Sequence, residues 1–153
     1  MDVNVINPLL AAFVNVLPQI GFQTVKKEAL SLANTVVEND GVMINIGVTG
    51  PLKGVIIIGM DVESSKRFAS KMMMGMDVPE LDGLAQSAIS EMGNMVCANA
   101  CSHFSTAGIT GLDISPPIMM LGKGGLVRLP VPQVIVIGLV VDDINVTVYV
   151  GLN

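Results

Sequence analysis

Aromatic and basic residues are the scarce classes in this sequence. It has no Trp, one Tyr and four Phe, so it lacks the stacking platforms that hold unpaired nucleic-acid bases. Eight Lys and Arg residues stand against thirteen Asp and Glu residues, which gives a formal net charge of −5. A protein that grips the phosphate backbone needs the opposite balance. The sequence therefore predicts no nucleic-acid partner.

Cysteine and basic targeting residues are also lacking. The two cysteines, Cys97 and Cys101, lie one helical turn apart, whereas secreted scaffolds join distant segments. The first lysine is Lys26, so the apolar stretch 3–20 has no basic segment to make it a signal peptide. No apolar run is judged long enough to cross a bilayer, since VIVIGLVV near the C-terminus is short. We expect a cytoplasmic protein with no membrane partner.

Charged residues of either sign are few, at 14%, while hydrophobic residues make up 51% of the chain. This is more apolar than an average soluble domain and leaves little polar material to cover a surface. The length of 153 residues suits one domain over residues 1–153. We therefore expect another copy of the chain or a partner protein to cover an apolar face.

Periodicity predicts three helices. Apolar residues recur at three and four from residue 3 to residue 20, where Pro18 and Gly21 crowd the end. Asp61 is suited to cap a second, short helix. A third helix is expected to begin near Pro79, which favours a first turn, and to run to about Thr106. The expected order along the chain is one helix, a strand-rich segment, two successive helices and a second strand-rich segment.

Two segments predict hairpins. VMINIGV and GVIIIGM flank the turn-forming TGPLKG, and VVDDINV near the C-terminus has the pattern of a tight hairpin. Each hairpin stands in a half that opens with a helix, which hints at internal duplication. The order does not alternate as βαβ, so we expect an α+β fold: an antiparallel or mixed sheet, from two hairpin-containing halves, with long helices packed on it.

A row of polar or small residues follows one side of the third helix. It consists of Ser87, Glu91, Asn94 and Ala98. At 100° per residue these positions share a narrow strip. The opposite, apolar side is expected to pack on the sheet and comprises Leu84, Ala88, Ile89, Met92, Met95 and Val96. Spacing alone favours an ordinary solvated helix face.

The motif Ser87-x-x-x-Glu91-x-x-Asn94, followed by Pro117, resembles the signature of the CheC/CheX/FliY phosphatases of bacterial chemotaxis. MMMGMDVPELDGL before it and SPPIMMLGKG after it are similar to segments of CheX, and the length suits a stand-alone CheX. Relatives of the CheC and FliY type usually carry a second motif on the first helix. Here that place keeps Asn15 but has Ala12 where Glu is needed, so one active site per chain is expected.

The resemblance implies a CheC/CheX-like fold and hydrolysis of the aspartyl phosphate of a phosphorylated CheY-like response regulator. It also implies a homodimer, partly joined through sheet edges or the first helix, and the apolar composition agrees with this. Asn94 would orient the attacking water, and Glu91 would pair with a lysine in the regulator's active site. Supporting roles fall to Ser87, which stands where many relatives have Asp, and to Ala98 and Pro117. The Mg²⁺ of this reaction would belong to the regulator, so no cofactor of the phosphatase itself is expected.

Two other functions stay open at this point. The chain is alternatively a non-catalytic module that binds receivers or flagellar-switch components, or a small-molecule sensor with a pocket under its strand-rich half. A metal site at Cys97, Cys101 and His103 is disfavoured, because His103 points away from the two thiols on a helix. GKGG at residues 122–125 is expected to be a hairpin turn rather than an anion cradle. The methionine cluster at residues 72–76 is expected in the core.

Overall fold

A seven-stranded antiparallel sheet with helices on one face forms the frame of the molecule, as seen in a computed structural model that describes residues 3–153. The helices are α1 (Val3–Val16), α2 (Val62–Met72) and α3 (Gly83–Thr106), and a 3-10 turn (Leu17–Ile20) extends α1. The strands are β1 (Val25–Ala33), β2 (Val36–Glu38), β3 (Gly41–Thr49), β4 (Gly54–Asp61), β5 (Asp113–Ile114), β6 (Ile118–Leu121), β7 (Leu126–Arg128), β8 (Val134–Val141) and β9 (Ile144–Leu152).

The strand order is symmetric about the centre of the large sheet. It reads β1-β8-β9-β4-β3-β5, with β6 also pairing with β3, while β2 and β7 form a separate two-stranded sheet. The hairpins β3–β4 and β8–β9 meet at the centre, and the strand that follows each long helix pairs with the hairpin of the other half. The predicted α+β class with two hairpin-containing halves is confirmed, and every pairing is antiparallel.

Alternation along the central strands divides the core into two layers. Ile44 and Ile46 of β3 face the helices, whereas Met43, which directly precedes Ile44, faces the small β2–β7 sheet. This is the period of two that any strand imposes on its side chains. Because the strands are apolar on both faces, the sheet needs cover on both sides. Helices cover one face, and the small sheet covers part of the other.

Aspartates fix the starts of α2 and α3. Asp61 accepts from the backbone N–H of Ser64 at 2.7 Å, as expected. Asp82 accepts from the N–H of Ala85 at 2.9 Å, so α3 begins at Gly83 and the expected start near Pro79 is wrong. A capping carboxylate satisfies a first-turn amide, and Asp82 itself has an extended backbone that no helix can continue through.

The tight hairpin predicted at VVDDINV is present between β8 and β9. Asp142 and Asp143 both have positive φ, 53° and 84°, as a two-residue hairpin turn requires. The Asp142 carboxylate accepts from the N–H groups of Gln23 and Thr24 and from Lys71. Burial alone would raise the pKa of Asp142, but these hydrogen bonds hold it below its ordinary value. Through the Asp142 carboxylate, the β8–β9 turn therefore connects the residues just before β1 to α2.

Two expectations are wrong: that no apolar run is long enough to cross a membrane, and that residues 122–125 form a hairpin turn. The segment Val3–Ile20 is by length and composition long and apolar enough to cross a membrane, although no run of that length was expected. In α1 its apolar face is buried against the sheet and α3, as in a core helix. The turn at residues 122–125 is not a hairpin, because β6 pairs with β3 and β7 pairs with β2. It carries the chain from one sheet to the other.

Candidate functional site

The outward side of α3 carries the polar row. Ser87 and Glu91 are exposed and Asn94 is half-buried, while Ile89 and Met92 on the opposite side are fully buried. The helical spacing therefore placed the row on the correct side. Leu84 was expected to pack on the sheet but is 63% exposed. The buried arc includes Gly93 and lies on average about 150° from Leu84.

A close approach between α3 and β3 sets the depth of the row. A Cβ added at Gly93 would lie 3.2 Å from the side chain of Ile44 and 3.3 Å from that of Ile46. Glycine inside a helix costs roughly 1 kcal/mol relative to alanine, and here the missing side chain leaves room for the two isoleucines. Gly93 lies between Glu91 and Asn94 in sequence, so this contact fixes where both side chains emerge.

Residues 115–117 form a wall beside the row. They lie between β5 and β6, which pair with the same edge of β3. The N–H of Gly47 donates to Ser115 Oγ at 2.8 Å, and the N–H of Ser115 donates to the Gly47 carbonyl at 2.9 Å. A Cβ at Gly47 would lie 2.9 Å from Ser115 Oγ. Pro116 and Pro117 lack an N–H, so they fit a stretch that leaves the strand ladder.

The row and the wall enclose a shallow depression of about 520 Å³. Its lining residues are Ser87, Ser90, Glu91, Asn94, Ile114, Ser115, Pro116 and Pro117. Four of the residues singled out in the sequence therefore come together. Ala98 is exposed on the same side of α3, one turn beyond Asn94, and does not line the depression.

The polar side chains of α3 in this depression have no partner within the described chain. For Ser87, Ser90, Glu91 and Asn94, no side-chain hydrogen bond or ion pair exists among residues 3–153. A carboxylate offers only acceptors, and a carboxamide offers two donors and an acceptor at any ordinary pH. Such groups are available to bind a cation, a water molecule or a phosphoryl oxygen that another molecule brings.

Ser90 and Ser115 were missed by sequence reasoning. Ser90 precedes Asn94 by four residues, which puts the two on adjacent turns of one helix face, and this spacing was visible in the sequence. Ser115 acts through the backbone of Gly47, on a strand distant in sequence. No local pattern indicates a contact of that kind.

Asn15 on α1, at the place of the missing second motif, is not part of a comparable site. Its Nδ2 donates to Asn99 Oδ1 at 3.2 Å, and Asn99 Oδ1 also lies 3.1 Å from His103 Nε2. Ala12, where a second glutamate would stand, is fully buried. The amide of α1 is therefore used in joining α1 to α3.

The thiols of α3 point to no metal chemistry. Burial, with a smaller contribution from Cys101, raises the pKa of Cys97 to about 12, so the thiolate that binds metal is strongly disfavoured. Burial and the neighbouring Asp113 also raise the pKa of Cys101. His103 is held by Asn99. Within residues 3–153 no group of three or more His, Cys, Asp or Glu side chains is arranged to hold a metal ion.

The methionine cluster before α3 is divided between core and surface. Met72 and Met73 pack against the helix-side core, but Met74 is 97% exposed and Met76 is 58% exposed. The expected core position is therefore wrong for the latter two. They lie in the segment between α2 and α3, where no element of the described structure covers them.

Comparison with known proteins gives consistent results. Residues 42–139 match the family described as chemotaxis phosphatase CheX. The chain is 27% identical over 139 residues to the CheY-P phosphatase CheX of Thermotoga maritima, covering 86% of this chain and 88% of that protein. These matches confirm the family resemblance predicted from the sequence.

Solved structures share the fold. A CheC-like superfamily protein from Shewanella sp. PV-4 matches with a TM-score of 0.86 at 24% identity, over 100% of this chain and 99% of that one. A CheX–CheY–BeF₃–Mg²⁺ complex from Borrelia burgdorferi contains a chain that matches with a TM-score of 0.73 at 20% identity, over 99% of both chains. The CheC/CheX-like architecture is thereby confirmed.

Proposed function

Because the chain belongs to the chemotaxis phosphatase CheX family, we propose that it hydrolyses the aspartyl phosphate of a CheY-like response regulator at the depression on α3. Water attacks phosphorus in line with the bond to the aspartate oxygen. That P–O bond breaks, and the products are the aspartate carboxylate and inorganic phosphate. An acyl phosphate is reactive, so catalysis is chiefly the positioning of this water.

Asn94 is the residue that orients the water. Its Oδ1 accepts from the water while its Nδ2 donates to water or to a phosphoryl oxygen, and neither function depends on protonation. Asn94 is half-buried at the edge of the depression and has no partner within the described chain. It is therefore held at its base by α3 while its carboxamide is free to act.

Glu91 fixes the register of the two proteins. It is exposed one turn before Asn94 and reaches into the regulator's active site, where it pairs with the lysine there. A charge-assisted hydrogen bond of this kind is stronger than a neutral one. Ser87 adds a hydroxyl to the same row, Pro117 forms the facing wall, and Ala98 leaves room for the regulator's loops.

The metal of the reaction is assigned to the partner. The Borrelia burgdorferi complex combines CheX, CheY, BeF₃ and Mg²⁺. We place Mg²⁺ with the phosphorylated regulator, so the phosphatase contributes no ligand set and needs no cofactor of its own. Response regulators act in the cytoplasm, which is where this enzyme would meet its substrate. The homodimer expected from the family resemblance stays a prediction.

The observation that carries this proposal is the unpartnered Glu91 and Asn94 on one exposed face of α3, opposite a wall that includes Pro117. A solvated helix face would show the spacing but would need no wall. A non-catalytic receiver-binding module would use the same surface without turnover. Measurement of phosphate release separates these two functions.

The test is phosphate release from phosphorylated CheY-like receivers with and without the protein. Asn94→Ala is expected to lower kcat by about 100-fold or more, because positioning of the water is lost. Glu91→Gln keeps the shape but removes the charge, and it is expected to raise KM about tenfold. Asn15→Ala is the matched control, since it removes the same carboxamide from α1 and should leave turnover unchanged.

The catalytic proposal is wrong if Asn94→Ala releases phosphate as fast as the unchanged protein. Binding of a receiver loaded with beryllofluoride and Mg²⁺ would then decide what remains. Binding without turnover would indicate the interaction module. Equal loss in Asn94→Ala and Asn15→Ala would indicate damage to the α1–α3 pair rather than to the site.

A further inference from the structure

A second concave surface adjoins the depression on its other side. We call it the methionine groove; it has a volume of about 760 Å³ and its walls include Ile20, Lys71, Met72, Met74, Glu91 and Met95. Glu91 lines both this groove and the depression that contains Asn94. The two surfaces are therefore continuous through the residue proposed to enter the regulator.

Met74 is held outward at an energetic cost. It is 97% exposed and has a φ of 60°, in the left-handed region that non-glycine residues seldom adopt. Met72 and Met73 just before it pack against the core, so the chain is anchored up to the residue that projects. A strained, exposed, apolar side chain next to a functional site favours a binding role.

The chemistry of the groove selects an apolar occupant. Its apolar walls come from Ile20 and three methionines, whose flexible side chains adapt their shape to different partners, while Gln19, Lys71 and Glu91 add polar groups. The ammonium of Lys71 lies 3.1 Å from Asp142 Oδ2 and is already paired. Glu91 stands at the boundary with the depression. A charged ligand would therefore find little to bind along the groove itself, whereas an apolar side chain would remove methionine surface from water.

The size of a protein interface points to the same partner. A specific complex buries about 800 Å² on each side, which is more than a shallow depression around one asparagine provides. A receiver that engages Glu91 and Asn94 must also cover a neighbouring surface. The methionine groove is uncovered and apolar, and it shares Glu91 with the depression.

We propose that the methionine groove docks an apolar side chain of the receiver domain beside its phosphorylated aspartate, with Met74 as the main contact. This rests on the function proposed above and adds a determinant of regulator choice. Docking acts on the affinity for the regulator, and Asn94 acts on the chemical step. Loss of the Met74 contact should therefore change KM and leave kcat unchanged.

The test compares Met74→Gln with Leu126→Gln. Glutamine keeps the length of methionine and tolerates the exposed position, while Leu126 is 73% exposed on β7, in the small sheet. KM and kcat are measured with a phosphorylated receiver, and Kd is measured with the same receiver loaded with beryllofluoride and Mg²⁺. Met74→Gln should raise KM and Kd about tenfold, as for a central interface contact. Leu126→Gln should match the unchanged protein.

Three results would overturn the docking proposal. They are a KM and Kd within twofold of the unchanged protein for Met74→Gln, an equal rise for Leu126→Gln, or a fall in kcat without a change in KM. A melting temperature equal to that of the unchanged protein shows that Met74→Gln is folded. If no receiver is dephosphorylated, the proposed function fails, and the Kd comparison alone still decides whether the groove binds the receiver.

Discussion

The two long helices, α1 and α3, carry the same polar residue in different surroundings. Asn15 on α1 donates to Asn99 across the helix pair, whereas the side chain of Asn94 on α3 has no partner within the described chain. Three residues before each asparagine, α1 has the buried Ala12 and α3 has the exposed Glu91. The residue type alone therefore does not make a site.

The helices also differ in what stands beside them. The outer face of α3 meets the wall of residues 115–117, which hydrogen bonds to Gly47 hold against β3. The amide of α1 lies instead against another polar residue of α3. A free carboxamide with a wall opposite can hold a water molecule in a defined direction. A carboxamide already bonded to its neighbour stabilises the helix pair and is not free to bind substrate.

The largest expected effect comes from adding the missing carboxylate to α1. Ala12→Glu should lower the free energy of unfolding by at least about 4 kcal/mol, because Ala12 is fully buried and a glutamate there would have no counter-charge. Urea denaturation measures this loss. No second phosphatase site should appear.

Ala98→Glu is the matched control for that change. Ala98 is exposed on α3, so the same substitution should alter the free energy of unfolding by less than about 0.5 kcal/mol. If Ala12→Glu were as stable as Ala98→Glu, α1 would be able to rotate its motif outward, and the difference between the helices would not lie in burial.

A smaller effect is expected when α3 is pushed off the sheet. Gly93→Leu places a side chain where a Cβ alone already lies 3.2 Å from Ile44, and overpacking of this kind costs about 2 kcal/mol. Asn94 would also move relative to Pro117, so kcat should fall at least about tenfold at temperatures where the variant is folded. Denaturation and phosphate release measure the two effects.

Gly83→Leu, at the first residue of the same helix, serves as the control. A Cβ at Gly83 meets nothing within 4 Å, so stability and turnover should be retained. If Gly93→Leu kept full turnover while losing stability, the depth of α3 on the sheet would not position Asn94.

Features that depend on residues near one another in the chain were predicted correctly from the sequence. The spacing of Glu91 and Asn94 put them on the outer side of α3, and Asp61 was identified as a cap, because both depend on residues within one or two helical turns. Leu84 was expected on the buried side of α3 but is exposed. The apolar residues alone gave a shifted helix face, because the small Gly93 also lies on the buried side. The wall could not be foreseen, since it needs β5 and β6 to pair with a strand distant in sequence.

Met74 also shows that burial cannot be predicted from residue type alone, since it is exposed where the core was expected. Methionine is usually buried, and the run of methionines favoured the core. Burial depends on which elements lie nearby, and the chain here has left α2 without reaching α3. Of the misjudged residues, Met74 lines the groove that shares Glu91 with the depression.

The smallest effect is expected at the link between the helices. Asn99→Ala removes the acceptor for Asn15 and the partner of His103, and it should lower the free energy of unfolding by about 1 kcal/mol. Turnover should stay within twofold, because Asn99 does not line the depression. Ser102→Ala, at an exposed position on the same helix, should change neither quantity.

Asn94→Ala should do the reverse of Asn99→Ala, losing turnover at unchanged stability. A loss of turnover in Asn99→Ala comparable to that of Asn94→Ala would mean that the helix link takes part in catalysis.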